Sequence, residues 1–276
     1  MTAISVFGLG YVGTVSAACL ASSGHRVVGV DRAAVKVDMI NNGQSPIIEA
    51  EVDDLIASAR AEGRLQATLD AEQAVLESDI SIVCVGTPSA SNGSLDTKAV
   101  EGVCREIGAA LARKSTRHTV VIRSTILPGT MRNVVRPALE AASGLKAGAD
   151  FGLSNNPEFL REGTAVRDYR NPPKTVIGAV DEQSAQDVSA LYAGIDAPLI
   201  VTDIERGEMV KYVDNVWHAF KVAFGNEVGN VCKALDIDSH KVMDIFVQDT
   251  KLNISPYYLK PGFAFGGSCL PKDVRA

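Results

Sequence analysis

Short apolar runs alternate along the first two hundred residues with stretches whose apolar positions recur at helical spacing. Ile4-Ser5-Val6-Phe7 has the pattern of a strand, and residues 13–23 that of a helix. Arg26-Val27-Val28-Gly29-Val30 is the next strand, followed by helical patterns at 34–41 and 51–62. Residues 80–85 (ISIVCV) and 119–122 (TVVI) form a third and a fourth apolar run, and Phe151-Gly152-Leu153 and Thr175-Val176-Ile177 are later strands. Strands separated by helices at this spacing predict βαβ units, hence an α/β fold with a Rossmann-type, doubly wound parallel sheet. From about Ile204 the pattern changes. Residues 208–234 predict one long proline-free helix that leaves the sheet and begins a helical second domain. The expected division is therefore residues 1–203 and residues 204–276. Residues 253–276 are rich in Gly, Pro and aromatics and predict a shaped loop. No internal repeat interrupts this order.

Composition adds limits. The 276 residues are 46% hydrophobic and 22% charged, which suits a folded core and disfavours disorder. A net charge of -6 argues against nucleic acid or a membrane surface as partner, although backbone N–H groups can still hold a phosphate. The five cysteines are scattered without CxxC spacing, so neither a disulfide framework nor a metal site is expected, and thiols at this density suit the cytoplasm. The first residues, MTAISVFGLGYVG, lack a basic segment and read as a strand, not as a signal peptide. No apolar stretch is long enough to span a bilayer.

The chemistry begins at Gly8-Leu9-Gly10-Tyr11-Val12-Gly13. This G-x-G-x-x-G follows a strand and opens a helix, and Asp31 closes the second strand about twenty residues on. Glycines permit a tight turn and close approach of backbone to pyrophosphate, while the helix N-terminus favours the negative charge. A carboxylate at Asp31 accepts from ribose hydroxyls and repels a 2′-phosphate, so NAD is favoured over NADP. The alternative is a purely structural glycine turn. Val85-Gly86-Thr87-Pro88 and 123–130 (RSTILPGT) end buried strands where ligands bind in such sheets, or merely terminate those strands.

The long helix carries Met209, Val213, Val216, Trp217, Phe220, Val222 and Phe224 around most of its circumference, which predicts burial on several sides. Lys211, Asn215 and His218 fall at i, i+4 and i+7, with Asn226 about 60° from Lys211. They form either a ligand-binding face or a solvated stripe. Cys269 lies in FGGSCLPKD beside Lys272, which favours a thiolate. The other four cysteines fit regular elements as small hydrophobes, and from its loop alone Cys269 is either that or a nucleophile.

Taken together, GLGYVG after Phe7, CVGTPS at 84–89, RSTILPGT at 123–130, NPEFLREGTA at 156–165, KYVDNVWHAFKVAFGNE at 211–227 and FGGSCLPKD at 265–273 resemble the UDP-glucose/GDP-mannose dehydrogenase family, in its order and over almost the whole chain. The run around His218, the pair Tyr257-Tyr258 and PGFAFGGSC resemble its GDP-mannose branch, with UDP-glucose 6-oxidation the alternative. One departure is Lys260, where that branch has arginine. Lysine keeps the charge and loses the bidentate fork.

The resemblance implies two successive NAD-dependent oxidations at the sugar C6, from alcohol to carboxylate, through a cysteine thiohemiacetal and thioester. Its product would feed an alginate-like polysaccharide. Cys269 is the implied nucleophile, Lys211 and Asn215 the oxyanion stabilisers, and Asp273 and Glu162 the groups that position water, with Glu158 a weaker choice. Gly8, Gly10, Tyr11, Val12, Gly13, Asp31, Lys36, Thr87, Thr125 and Lys272 are implied NAD contacts. Glu162, Lys211, Asn215, His218, Asn226, Tyr257, Tyr258, Lys260, Phe263 and Gly266 are implied nucleotide-sugar contacts. A homodimer or higher oligomer is implied as well, since neighbouring subunits share substrate contacts in the family. Family members continue into a further domain. The expectation is that this C-terminal domain is absent here, and that such a chain could bind NAD with little turnover.

Overall fold

The computed structural model describes residues 1–257, 259–262, 264 and 270–273. The strands are β1 (Ala3–Phe7), β2 (Arg26–Val30), β3 (Leu65–Thr68), β4 (Ile80–Val83), β5 (Thr119–Ile122), β6 (Gly152–Asn155), β7 (Thr175–Ala179) and β8 (Leu199–Thr202). They form one sheet in the order β3-β2-β1-β4-β5-β6-β7-β8. The helices are α1 (Tyr11–Ser22), α2 (Ala34–Asn41), α3 (Val52–Ala61), α4 (Ala71–Leu76), α5 (Lys98–Leu111), α6 (Arg136–Ser143), α7 (Ala165–Arg170), α8 (Glu182–Ser189), α9 (Ile204–Ala234), α10 (Ser239–Phe246) and α11 (Leu270–Asp273). The strand and helix patterns read from the sequence recur within a few residues. The short β3 and β8, α4, α5, α6, α7, α8, α10 and α11 are additions to them, the last within the stretch expected to be a shaped loop.

The central strands are apolar on both faces because both faces are covered. Ile4, Val6, Val27 and Ile82 join one buried cluster with α1, α2, α3 and α7. Phe7, Val28, Val30, Val83, Val120 and Ile122 point the other way, into a cluster with α4, α5 and α6. Each such side chain contributes about 1.5–3 kcal/mol when fully buried.

The sheet departs from the all-parallel expectation at one junction. β6 and β7 pair antiparallel, Ser154 opposite Ala179 and Asn155 opposite Gly178. Hydrophobic alternation fixes which face of a strand is buried but carries no strand direction. The reversal has a consequence for the site. Segment 156–174 leaves the C-terminal end of β6 and re-enters β7 at the same end of the sheet, so it stays over the edge where the glycine loop lies.

The chain divides into two compact units, Met1–Asp214 and Asn215–Ala276. The second contains an apolar cleft of about 740 Å³ lined by Trp217, Phe220, Phe224, Met243 and Phe246. Trp217 and Phe220 stack with centroids 5.9 Å apart, and Phe224 and Phe246 lie 5.7 Å apart. The expected burial of the long helix on several sides is corrected here. Met209, Val213, Val216, Trp217, Phe220, Val222 and Phe224 are between 42% and 64% exposed. An apolar pattern records a demand for burial, not which surface meets it. No helix among the described residues is long and apolar enough to cross a membrane.

Candidate functional site

The turn from β1 into α1 is built around two glycines, Gly8 required by its backbone conformation and Gly13 by close approach. Gly8 has φ of +93°, and a Cβ there would meet Val85 at 3.0–3.1 Å. A Cβ on Gly13 would stand 1.8 Å from the Gly8 carbonyl oxygen. Gly10 differs, because its Cβ direction is open space, with no atom within 4 Å. It is also the first residue of the α1 turn, where no side chain caps the helix. Helix N-termini leave several N–H groups without intrahelical acceptors. The result is an open approach to uncapped backbone donors, with Tyr11 and Val12 half-buried beside it.

Asp31, at the end of β2, ties this turn down. Its Oδ2 accepts from Leu9 N at 2.7 Å and its Oδ1 from Ala33 N at 2.9 Å, and Lys36 Nζ approaches Oδ2 at 3.3 Å. Burial pushes the carboxyl upward, but the Ala33 and Leu9 N–H groups and the Lys36 ammonium outweigh it, so Asp31 sits below the ordinary aspartate value. It is a fixed anion at neutral pH. Arg32 turns away to pair with Glu106 on α5. Between them opens a cleft of about 170 Å³ lined by Gly8, Val30, Asp31, Val85 and Val103. Across the switch in strand order, Thr87 Oγ1 donates to Thr125 O at 2.7 Å, and Ser124 Oγ to Val85 O at 2.7 Å. The two strand-end loops singled out in the sequence are therefore bonded to each other.

The second half of the site lies on segment 156–165. Lys211 Nζ donates to Glu158 O at 2.6 Å and pairs with Glu158 Oε1 at 3.0 Å, with both side chains about 10% exposed. Glu158 Oε2 also accepts from Leu160 N at 2.7 Å. Glu158 is thus occupied in holding Lys211 and its own turn. Glu162 is exposed. Its flanks are fastened on both sides: Asp168 takes Arg161 through N, Nε and Nη2 at 3.0, 2.9 and 2.7 Å, while Glu49 accepts from Gly163 N at 2.8 Å and Ala165 N at 3.0 Å.

The first unit thus gathers Gly8, Gly10, Tyr11, Val12, Gly13, Asp31 and Lys36 in one group, Thr87 with Thr125 in another, and Lys211 with Glu158 in a third. In the second unit Asn215, His218, Asn226, Tyr257, Lys260 and Lys272 are exposed, with Lys272 on α11. Tyr258, Phe263, Gly266 and Cys269 lie outside the described residues, as does the side chain of Asp273.

Two groups escaped the sequence reading. Glu49 sits in a polar loop with no motif around it. Arg123 was noted only as part of RSTILPGT, yet it is buried, and its Nη1 donates to Asn156 Oδ1 at 2.7 Å and Tyr192 OH at 2.9 Å. Its guanidinium carbon stands 5.9 Å from the Tyr169 ring centroid. A buried cation beside an asparagine and two tyrosines braces the start of segment 156–165 at Asn156. An arginine directly after an apolar strand was the one available signal.

Comparison with known proteins gives the following. Residues 2–196 match the NAD-binding domain of the UDP-glucose/GDP-mannose dehydrogenase family, and residues 205–276 its central domain. The GDP-mannose 6-dehydrogenase of Pseudomonas aeruginosa is 58% identical over 273 residues, 99% of this chain and 63% of that protein. The UDP-glucose 6-dehydrogenase of Haloferax volcanii is 38% identical over 99% of this chain and 64% of its own length. A crystal structure of a ternary complex of GDP-mannose dehydrogenase from Pseudomonas aeruginosa superposes with a TM-score of 0.98 at 57% identity, covering 99% of this chain and 63% of that one. The chain thus spans less than two thirds of the length of these relatives.

Proposed function

The chain belongs to the UDP-glucose/GDP-mannose dehydrogenase family, and from that premise we propose that it serves the NAD-dependent oxidation of the C6 alcohol of GDP-mannose to GDP-mannuronate. The observation that carries the dinucleotide half is the glycine turn, open at Gly10, closed at Gly13 and pinned by the Asp31 carboxylate. Asp31 Oδ1, which takes one donor against two on Oδ2, keeps acceptor capacity for a ribose hydroxyl. A fixed anion there disfavours a 2′-phosphate, which supports NAD. Gly8, Gly10, Tyr11, Val12 and Gly13 would hold the pyrophosphate and Asp31 the ribose, with Lys36, Thr87, Thr125 and Lys272 completing the contacts. When bound, NAD⁺ supplies the hydride acceptor for both oxidations.

The rest falls to the chain. The Cys269 thiolate adds to the C6 aldehyde carbon and gives a thiohemiacetal. Loss of hydride from C6 of that adduct, together with its hydroxyl proton, leaves a thioester. Water adds to the thioester carbon, and the thiolate departs as the carboxylate forms. Lys211 and Asn215 stabilise the oxyanion at C6. Asp273 and Glu162 position the water. His218, Asn226, Tyr257, Tyr258, Lys260, Phe263 and Gly266 hold the nucleotide sugar. The 58% identity to a GDP-mannose enzyme, against 38% to a UDP-glucose enzyme, favours the mannose substrate. A homodimer or higher oligomer in the cytoplasm, supplying an acidic sugar nucleotide for an alginate-like polysaccharide, completes the reading. A Cys269→Ser variant tests the thioester step: it should bind NAD⁺ as the parent does and release no acid. Full acid production by that variant would remove Cys269 from the chemistry.

A further inference from the structure

Glu49 is a buried carboxylate, 8% exposed, that no part of the chemistry above uses. Three donors converge on it. Gly163 N reaches Oε2 at 2.8 Å and Ala165 N reaches Oε1 at 3.0 Å. The third donor is the Tyr11 hydroxyl, also on Oε2. Tyr11 is the residue that follows the open Gly10 in the glycine turn, and its hydroxyl lies 3.5 Å from Arg161 O as well. One carboxylate therefore joins the turn where a dinucleotide would sit to the residues on the C-terminal side of Glu162. Burial pushes the Glu49 carboxyl upward, but the Tyr11 hydroxyl and the Gly163 and Ala165 N–H groups outweigh it and hold it below the ordinary glutamate value. It is thus an acceptor for all three donors at neutral pH, and hydrogen bonds to an ionised acceptor are the strong ones.

The geometry around Glu162 gives this link a use. Asp168 fastens Arg161 on one side, and Glu49 fastens Gly163 and Ala165 on the other. Glu162 stands between the two clamps. The Asp168 side chain takes its hydrogen bonds from within segment 161–168, from Arg161 and Thr164. The Glu49 clamp shares its oxygen with Tyr11. Restraint of residues 10–12 by a bound pyrophosphate would remove freedom from the Tyr11 ring, and through Oε2 from the 163–165 backbone.

We propose that Glu49 is a positioning residue that couples the glycine turn, through the Tyr11 hydroxyl, to segment 161–165, so that dinucleotide binding orders the backbone that carries Glu162. The inference rests on the dinucleotide reading above. Coupling of this kind is reciprocal: what the ligand does to the segment, the segment does to ligand affinity.

Hydrogen–deuterium exchange of the purified chain, with and without saturating NAD⁺, tests it, alongside calorimetric NAD⁺ titration and thermal melting. Coupling free energies of this type correspond to roughly 5–150-fold, so NAD⁺ should slow exchange at Gly163 and Ala165 by about tenfold. Tyr11→Phe keeps the ring and leaves the Glu49 bonds to Gly163 and Ala165 in place. In that variant the NAD⁺-induced protection should vanish, with the melting temperature close to the parent's and the NAD⁺ dissociation constant raised by the same factor. Glu49→Gln should lose both the protection and the basal order of 163–165. A purely structural Glu49 predicts otherwise: protection by NAD⁺ in Tyr11→Phe equal to the parent's, and that result overturns the proposal. NAD⁺ that binds the parent without protecting 163–165 overturns it also. No NAD⁺ binding by the parent in the titration overturns the dinucleotide reading itself, and so separates the two failures.

Discussion

Two single-methyl substitutions in the glycine turn separate folding from binding. At Gly13 the added Cβ would stand 1.8 Å from Gly8 O, 3.0 Å from Gly8 C and 3.2 Å from Cys84 Cβ. The first neighbour is backbone, and Gly8 N is itself held by Val30 O at 2.8 Å, so relief requires the turn to move. Overpacking of this kind costs roughly 1–3 kcal/mol, and a backbone collision belongs at the upper end. Alanine returns up to about 1 kcal/mol through its better helix propensity. The net expectation for Gly13→Ala is about 2 kcal/mol of lost stability, a fall in Tm of roughly 4–8 °C. At Gly10 the Cβ meets nothing within 4 Å, and φ of -77° suits any residue. Gly10→Ala should therefore fold normally, with a change of less than about 1 kcal/mol from the altered cap. The methyl fills the approach to the α1 N-terminus, so the NAD⁺ dissociation constant should rise by at least about tenfold, about 1.4 kcal/mol. Thermal melts and calorimetric titration of both variants read the two effects. A Gly10→Ala protein that binds NAD⁺ like the parent would refute the placement of the pyrophosphate. A Gly13→Ala protein as stable as the parent would refute the packing of the turn.

Four further outcomes follow from particular side chains. His118 Nδ1–H donates to Ser78 O at 3.0 Å and Nε2 accepts from Ser81 Oγ at 2.7 Å, so the neutral ring is satisfied, and burial pushes its pKa down to about 4. A depressed histidine leaves the unfolded chain binding more protons between about pH 6.5 and 4, so stability is full above that window and falls through it by about 3 kcal/mol; urea melts at several pH values should show this, and His118→Asn should flatten the slope. Asp31, Glu49 and Asp168, all held below their ordinary values, add a further loss as pH falls below about 4. Lys211→Met leaves the Glu158 carboxylate without its cation in a site about 10% exposed, which should cost about 3 kcal/mol in urea unfolding, with part restored by Glu158→Gln in the same chain. Asp31→Leu removes the acceptor for Leu9 N and Ala33 N, so it should lose about 1–3 kcal/mol of stability and also weaken NAD⁺ binding, and a titration showing unchanged affinity would count against Asp31 as the ribose acceptor.

What could be read along the chain was whatever depends on near neighbours. The β1 turn, α1 and Asp31 form one local motif, and a strand buried on both faces, such as Thr119–Ile122, is apolar throughout. Lys211 was legible only as a polar position on an apolar helix, because its partner Glu158 is supplied from 53 positions away. Glu49 was invisible for the same reason: its donors come from Tyr11, Gly163 and Ala165, up to 116 positions distant. The antiparallel β7 escaped because Thr175–Ala179 is apolar whichever way it runs. The long helix misled, since Trp217 and Phe220 follow a buried pattern yet remain exposed. For Cys269 the weight lies in the company of motifs in family order, not in its own loop.

The central claim is the proposal that this chain serves the NAD-dependent oxidation of GDP-mannose with Cys269 as nucleophile. The direct measurement is NADH formation by the purified protein with NAD⁺ and either GDP-mannose or UDP-glucose, with the sugar product identified by mass. The account predicts NADH from GDP-mannose, accompanied by the C6 carboxylate and no accumulated aldehyde. NADH from UDP-glucose alone would contradict it.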